Sequence, residues 1–244
     1  MKTALLISTY NWPAALNLVL KSLCRQTVMP DEILIADDGS TYQTKEVVDF
    51  YKKEKKLPIK HIWHEDEGFR RTVILNKAIA VSTSDYIIQL DGDCIMHKNF
   101  VKDHITSSGK NIFLFGSRVG IKEKFLPELF SKKIVDFGLF SGNITRKTRN
   151  LHIPFLADFY KEQPGLSKKV RGCNLSFWKE DFLKINGYNE EMTGWGKEDS
   201  EMIIRLLNNG ILGKRLRYKA IIYHIWHKVN SREKESVNTR IQQE

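Results

Sequence analysis

Short apolar runs alternate with amphipathic stretches through the first half of the chain, and that alternation predicts its elements. Ala4 to Ser8 reads as a strand, and Pro13 opens a helix through about Arg25, as proline does at a first helical turn. Glu32 to Ala36 follows as a second strand, Thr41 to Lys55 as a helix and Ile59 to Trp63 as a third strand. Arg71 to Val81 places Val73, Ile74, Ala78 and Val81 on one helical face. Tyr86 to Leu90 is an apolar run of strand length, and Ile112 to Phe115 is another. The order βαβαβαβ predicts an α/β fold, a mostly parallel sheet with helices on both faces.

The polar positions that interrupt this pattern fall at strand ends, where open α/β sheets bind their ligands. The first strand runs into Ser8, Thr9, Tyr10 and Asn11, the second into Asp37, Asp38, Gly39 and Ser40, and the fourth into Asp91, Gly92 and Asp93. Asp-Gly is also a common turn, but three polar strand ends on one edge exceed what turns require. Asp37 or Asp38 can accept hydrogen bonds from a base or ribose, or cap the following helix, a role open to Ser40 and Thr41 as well. Arg70 and Arg71 open the third helix, where a guanidinium suits a phosphate. The carboxylates of Asp91 and Asp93 are hard oxygen ligands for Mg²⁺ or Mn²⁺.

The second half has its own candidates. Gly194-Trp195-Gly196 leads into Glu198 and Asp199, which open a helix with apolar Met202, Ile203, Leu206 and Leu207. Acidic residues favour a helix N-terminus by themselves, yet that does not explain the glycine-flanked tryptophan before them. A carboxylate there can serve as a general base, and Trp195 can stack on a ligand ring or fill the core. Asn174, in Arg171-Gly172-Cys173-Asn174 before a strand from Leu175 to Trp178, is a site residue or a turn residue. His224 and His227 are metal-ligand candidates; an extended segment after Ile222 would point them to opposite faces, so that only one could ligate.

Length and charge narrow the picture. The 244 residues fit one domain or one with a small extension. Its expected parts are an α/β half at 1–118, a basic amphipathic insertion at 119–170, and a second half at 171–244 with a polar tail. The net charge of +10 favours acidic partners. Basic residues interleaved with Phe125, Leu126, Leu129, Phe130, Ile134, Val135, Phe137, Leu139, Phe140, Phe155, Leu156, Phe159 and Tyr160 suit an anionic membrane surface or an amphipathic helix packed on its own domain. No nucleic-acid motif accompanies them, and neither G-x-G-x-x-G nor a Walker sequence is present. Cys24, Cys94 and Cys173 form neither a zinc pattern nor a disulfide framework, which points to a reducing cytoplasm. No stretch is apolar for long enough to suggest a transmembrane helix.

Together, Thr9-Tyr10-Asn11, Asp37-Asp38-Gly39-Ser40 and Asp91-Gly92-Asp93 resemble the family 2 glycosyltransferases, of GT-A (Rossmann-like) fold. Glu67-Gly68-Phe69-Arg70 with Asn76-Lys77-Ala78, then Gly187-Tyr188-Asn189-Glu190 and Gly194-Trp195-Gly196-Lys197-Glu198-Asp199, are similar to the subgroup of chondroitin-type polymerases and β-1,4-galactosyltransferases. The resemblance implies an inverting transferase that takes a UDP-sugar, with Mn²⁺ or Mg²⁺ on Asp93, aided by Asp91 and by His224 in preference to His227. It implies donor contacts at Thr9, Tyr10, Asn11, Asp37, Asp38, Arg70, Arg71, Asn76, Lys77, Asp91 and Gly92. It further implies Asp199 as base, Glu198 binding acceptor or donor hydroxyls, and acceptor contacts at Trp195, Gly196 and Asn174. The expected acceptor is a glycan or lipid-linked oligosaccharide of surface polysaccharide or lipopolysaccharide synthesis, met in the cytoplasm or on the inner face of the membrane. Two other classes stay open: a nucleotidyltransferase, whose glycine-rich loop Ser8 to Trp12 lacks, and a noncatalytic glycan- or membrane-binding module of the same fold.

Overall fold

A computed structural model describes residues 1–138, 140–228 and 235–243; Leu139 and part of the polar tail lie outside the described residues. The strands are β1 (Thr3–Thr9), β2 (Glu32–Asp37), β3 (Ile59–Trp63), β4 (Tyr86–Asp91), β5 (Cys94–Met96), β6 (Ile112–Phe115), β7 (Ser117–Ile121), β8 (Ile144–Thr145), β9 (Asn174–Trp178), β10 (Leu212–Arg215) and β11 (Ile221–His224). The helices are α1 (Pro13–Leu23), α2 (Tyr42–Lys53), α3 (Arg71–Ala80), α4 (Phe100–Ser107), α5 (Leu126–Ser131), α6 (Pro154–Ala157), α7 (Lys179–Lys184), α8 (Glu198–Asn208) and α9 (Glu235–Gln243). The elements expected in the first half all form, with ends shifted by a residue or two.

Seven strands make one sheet in the order β10-β6-β9-β4-β1-β2-β3. β1, β2 and β4 read as continuous apolar runs because they are buried on both faces. Leu5 and Ile7 pack on one side with Leu16, Val19 and Leu20 of α1. Ala4 and Leu6 pack on the other with Ile74, Leu75 and Ala78 of α3. Each such buried aliphatic side chain contributes roughly 1.5–3 kcal/mol. The chain winds outward from β1 to β2 and β3, then returns to place β4 on the other side of β1. The crevice at that reversal holds the ends of β1 and β4, with Ser8 opposite Asp91 and Thr9 opposite Asp37.

β9 runs antiparallel to both β4 and β6. Its amino end therefore lies beside the carboxyl end of β4, with Asn174 opposite Leu90. A second sheet, β5-β11-β7-β8, was not foreseen from the sequence. Antiparallel pairing of β11 with β5 sets His224 opposite Cys94, next in sequence to Asp93. Beneath this sheet Phe125, Leu129, Val135 and Phe137 of the basic segment are buried with Tyr223 and Ile225. They belong to short elements packed on the domain, whereas Phe140, Phe155 and Phe159 are exposed.

A buried polar chain ties the two sheets together. Asn174 donates from Nδ2 to the carbonyls of Ala220 (2.7 Å) and Ser117 (3.3 Å). Its Oδ1 lies 3.0 Å from His104 Nε2, whose Nδ1 lies 2.7 Å from Ser176 Oγ. Burial holds the His104 imidazole down to about 4, so it stays neutral at pH 7. The Asn174 side chain is thus spent inside the fold rather than turned toward an acceptor, a correction to the sequence expectation. Asn174→Ala strands these partners and is expected to destabilise the protein by about 2–4 kcal/mol; a loss under about 0.5 kcal/mol in urea unfolding would contradict this account.

Candidate active site

Arg71, at the first position of α3, organises the crevice. Its guanidinium donates to Asp91 Oδ1 at 2.9 Å and to Asp199 Oδ1 at 3.1 Å, and lies 3.6 Å from Glu198 Oε1. Burial opposes its charge, but Asp199, Asp91 and Glu198 outweigh that and raise the guanidinium well above its ordinary value. In this structure the Arg71 charge is directed to three carboxylates. Asp91 Oδ1 also accepts from Ser8 Oγ at 3.0 Å.

Asp199 is held by further donors, the Gly172 N–H at 2.8 Å on Oδ2 and the Tyr188 hydroxyl at 3.4 Å on Oδ1. Gly172 allows this approach, since a Cβ there would lie 2.1 Å from the carboxylate. Gly194, Gly196 and Lys197 all have positive φ, and that turn delivers the carboxylates at the start of α8. Glu198 accepts from the Gly196 N–H at 2.9 Å and is only 5% exposed. Burial and then the neighbouring Asp199 push the Glu198 carboxyl up to about 7 against the pull of Arg71. Trp195 is half-buried in the same turn.

Asp93 faces the start of the last described loop. His224 Nε2 lies 3.4 Å and His227 Nε2 3.3 Å from the same Asp93 oxygen. β11 ends at His224, so the two rings do not diverge as an extended segment would require; both converge on Asp93, 5.1 Å apart between ring centres. His227 Nδ1 donates to the Lys228 carbonyl at 2.6 Å, which turns its Nε2 toward Asp93. Burial lowers His224, whereas the hydrogen bond to Asp93 raises His227. Burial works against the Asp93 charge, yet His227 and His224 hold its carboxyl below the usual range. Ligand atoms of all three lie within 4.8 Å of one another, a set that can hold a divalent ion. Asp91, bound to Arg71 and Ser8, stands outside this group.

The other candidates sort by what they touch. Asp37 joins His61 (2.8 Å) and the Ser40 N–H; Asp38 joins His64 (2.7 Å) and the Arg70 N–H. These bonds shape the crevice wall. Thr9, Tyr10, Asn11 and Gly92 line the same edge, with the Tyr10 hydroxyl on Asp66 and the Asn11 side-chain Oδ1 accepting from the Thr41 N–H. Arg70 pairs with Glu67, and its buried Nε has no partner among the described residues. Asn76 is bonded through both amide atoms to Tyr188, and Lys77 reaches His64 at 3.4 Å. Asn76 thus braces the Tyr188 loop instead of facing the crevice. Sequence reasoning missed Tyr188 and Gly172 as supports of Asp199; their only signal was membership of motifs noted for neighbouring residues.

Residues 4–163 match glycosyl transferase family 2, and residues 157–228 match the N-terminal domain of galactosyltransferase. The chain is 28% identical to validoxylamine A glucosyltransferase of Streptomyces hygroscopicus subsp. limoneus, over 85% of this chain and 48% of that one. It is 26% identical to chondroitin synthase of Escherichia coli, over 91% and 34% respectively. The chain thus spans half or less of the length of these relatives. Among solved structures, S. aureus TarS 1-349 in complex with UDP-GlcNAc superposes with a TM-score of 0.69 at 17% identity, covering 99% of this chain and 65% of the other. GalNAc-T7 with UDP, GalNAc and Mn²⁺ superposes with a TM-score of 0.66 at 17% identity, covering 93% and 44%. These likenesses establish a GT-A fold.

The raised Glu198 has a consequence for stability. Between its unfolded value of 4.5 and its folded value of about 7, the native state holds the proton that the unfolded chain releases. Stability therefore falls as pH rises through that window. Glu198→Gln removes the buried charge and is expected to stabilise the protein at pH 8 by roughly 1–3 kcal/mol, with the gain gone near pH 4.5. Thermal unfolding at both pH values checks this; a pH-independent difference would refute it.

Proposed function

The chain belongs to glycosyl transferase family 2, and from that membership we propose that it transfers a sugar from a UDP-sugar to a glycan hydroxyl with inversion at the anomeric carbon. The observation that carries this reading is the shared crevice: the Asp93, His224 and His227 group and the Asp199 and Glu198 pair meet at the carboxyl ends of β1 and β4, linked by Arg71 and Asp91. A carboxylate and two imidazoles fit Mn²⁺ better than the oxygen-seeking Mg²⁺. Held there, the ion would offset the charge of the departing diphosphate.

Asp199 is the proposed base. A carboxylate offers about four lone-pair positions, and Arg71, Tyr188 and Gly172 occupy three of them. The position left on Oδ2 can take the proton of the attacking hydroxyl. Direct attack by that hydroxyl, with no covalent enzyme intermediate, inverts configuration. Glu198 binds a sugar hydroxyl, and Trp195 offers a flat face for the acceptor ring. Thr9, Tyr10, Asn11, Asp37, Asp38, Asp91 and Gly92 form the proposed cradle for the nucleoside and donor sugar. The acceptor is a glycan or lipid-linked oligosaccharide of surface polysaccharide or lipopolysaccharide synthesis. Among the described residues no helix is long and apolar enough to cross a membrane; on this reading the exposed Lys132, Lys133 and Phe140 face an anionic membrane surface.

Two outcomes follow for a panel of UDP-, GDP- and CMP-sugars incubated with Mn²⁺. Wild-type protein is expected to release UDP slowly from one donor, and Asp93→Ala to lose Mn²⁺-dependent UDP binding in calorimetry. Binding of UDP equally well without metal would overturn the assignment of Asp93. Asp199→Asn is expected to keep UDP binding and lower kcat by about 10²–10⁴-fold in transfer assays. Unchanged kcat would remove Asp199 as base, and absence of any UDP binding by wild type would favour a noncatalytic glycan-binding module.

A further inference from the structure

Five arginines gather beside the crevice and have no carboxylate ion-pair partner among the described residues. They come from three separate segments: Arg118 on β7, Arg146 and Arg149 on the turn after β8, and Arg215 and Arg217 at the end of β10. Two of them make hydrogen bonds to backbone. Arg149 donates to the Arg118 carbonyl at 3.2 Å, and Arg217 to the Thr148 carbonyl at 2.9 Å. Those bonds hold the side chains in place without cancelling charge. The lysines of the same strand end behave differently: Lys214 pairs with Glu162 at 2.8 Å and Lys219 with Asp158 at 3.7 Å.

Such an assembly is costly to the free protein. Burial and the charges of Arg146, Arg215, Arg217 and Arg118 pull the Arg149 guanidinium below its ordinary value. Burial and Arg217 do the same to Arg215, whose Nε is buried without a partner among the described residues. Unneutralised like charges in a partly buried cluster mark a place where a ligand supplies the opposite charge.

The register of the second sheet places this cluster relative to the chemistry. Arg118 is opposite Ile222 and Gly120 opposite His224, so Arg118 lies on the same strand face as His224, one step further along. The cluster thus begins beside the Asp93 group and extends away from it through Arg149. Aromatic rings accompany it: Arg215 lies over Tyr160 (5.8 Å) and Arg217 over Tyr218 (4.7 Å). Phe155 and Phe159, in the segment that leads to Tyr160, are 69% and 76% exposed. Guanidinium groups for phosphate and aromatic faces for sugar rings are the two halves of a surface for a phosphorylated glycan.

Resting on the transferase reading above, we propose that Arg146, Arg149, Arg215 and Arg217 bind a phosphate group carried by the acceptor, a short distance from the hydroxyl that reacts. The donor diphosphate is the other source of the same chemistry, and it is placed instead at the Asp93 group, with Arg118 between the two.

The test compares wild type with the triple variant R149Q/R215Q/R217Q and the surface variant R146Q. sn-Glycerol 3-phosphate, with glycerol as neutral control, is titrated by calorimetry without donor; UDP with Mn²⁺ is titrated separately. The triple variant is expected to bind glycerol phosphate roughly tenfold or more weakly and R146Q about threefold more weakly, both keeping UDP–Mn²⁺ affinity. The triple variant should also melt no lower than wild type, since repulsion is relieved; should it fail to fold, R146Q alone decides. Wild-type affinity for glycerol phosphate no better than for glycerol, or unchanged in the variants, overturns the proposal. So does a parallel loss of UDP–Mn²⁺ binding, which would give the arginines to the donor diphosphate. If wild type binds glycerol phosphate but no UDP with Mn²⁺, the transferase reading fails and the assignment to an acceptor falls with it.

Discussion

One buried guanidinium holds the crevice together. Arg71 begins a helix of the amino-terminal half, and it bonds Asp91 at the end of β4 and Asp199 at the start of α8, 128 positions further on. Without it three carboxylates would crowd one pocket, and the burial and repulsion that already raise Glu198 would act unopposed by its charge. With it, an acidic pair can be kept partly buried and aimed into the crevice. Removing one member of such a buried group costs about 3–5 kcal/mol, because the others are left uncompensated. The contact is therefore both a brace between the two halves and the setting of the proposed base.

The sheet supplies the second constraint. Parallel pairing of β1 with β2 and β4 brings three polar strand ends to one edge, and the antiparallel β9 adds Gly172 to that edge from the opposite direction. The small second sheet carries His224 to Asp93 by pairing β11 with β5. Each contribution to the crevice is thus fixed by backbone hydrogen bonding. The side chains in and beside it then carry features that stability alone would not select: a carboxyl with a raised proton affinity, two imidazoles on one carboxylate oxygen, and clustered arginines with no carboxylate partner among the described residues.

Much of this was legible in the chain itself. Apolar runs of strand length marked β1, β2 and β4 because both faces of a central parallel strand must be apolar, whereas β3 is an edge strand of mixed burial. The acidic ends at Asp37, Asp38, Asp91 and Asp93 were visible because polar residues that close an apolar run have few structural reasons to be there. The geometry of His224 and His227 was not: periodicity assumes one backbone conformation, and β11 stops between them. Asn174 and Asn76 look like site residues in sequence, yet their amides meet backbone groups far along the chain.

What the sequence determined by itself was local: where strands form, where they end in oxygen ligands, and the motifs that resemble a family. Hydrophobic periodicity and turn chemistry act over a few residues, so they can be read in order. The tertiary structure alone decided which charges meet. It set Arg71 between Asp91 and Asp199, brought both histidines to Asp93, and gathered the arginines of three segments spanning residues 118 to 217. Such groupings depend on strand order and register, which arise from the packing of the whole sheet and leave no periodic trace in any one segment.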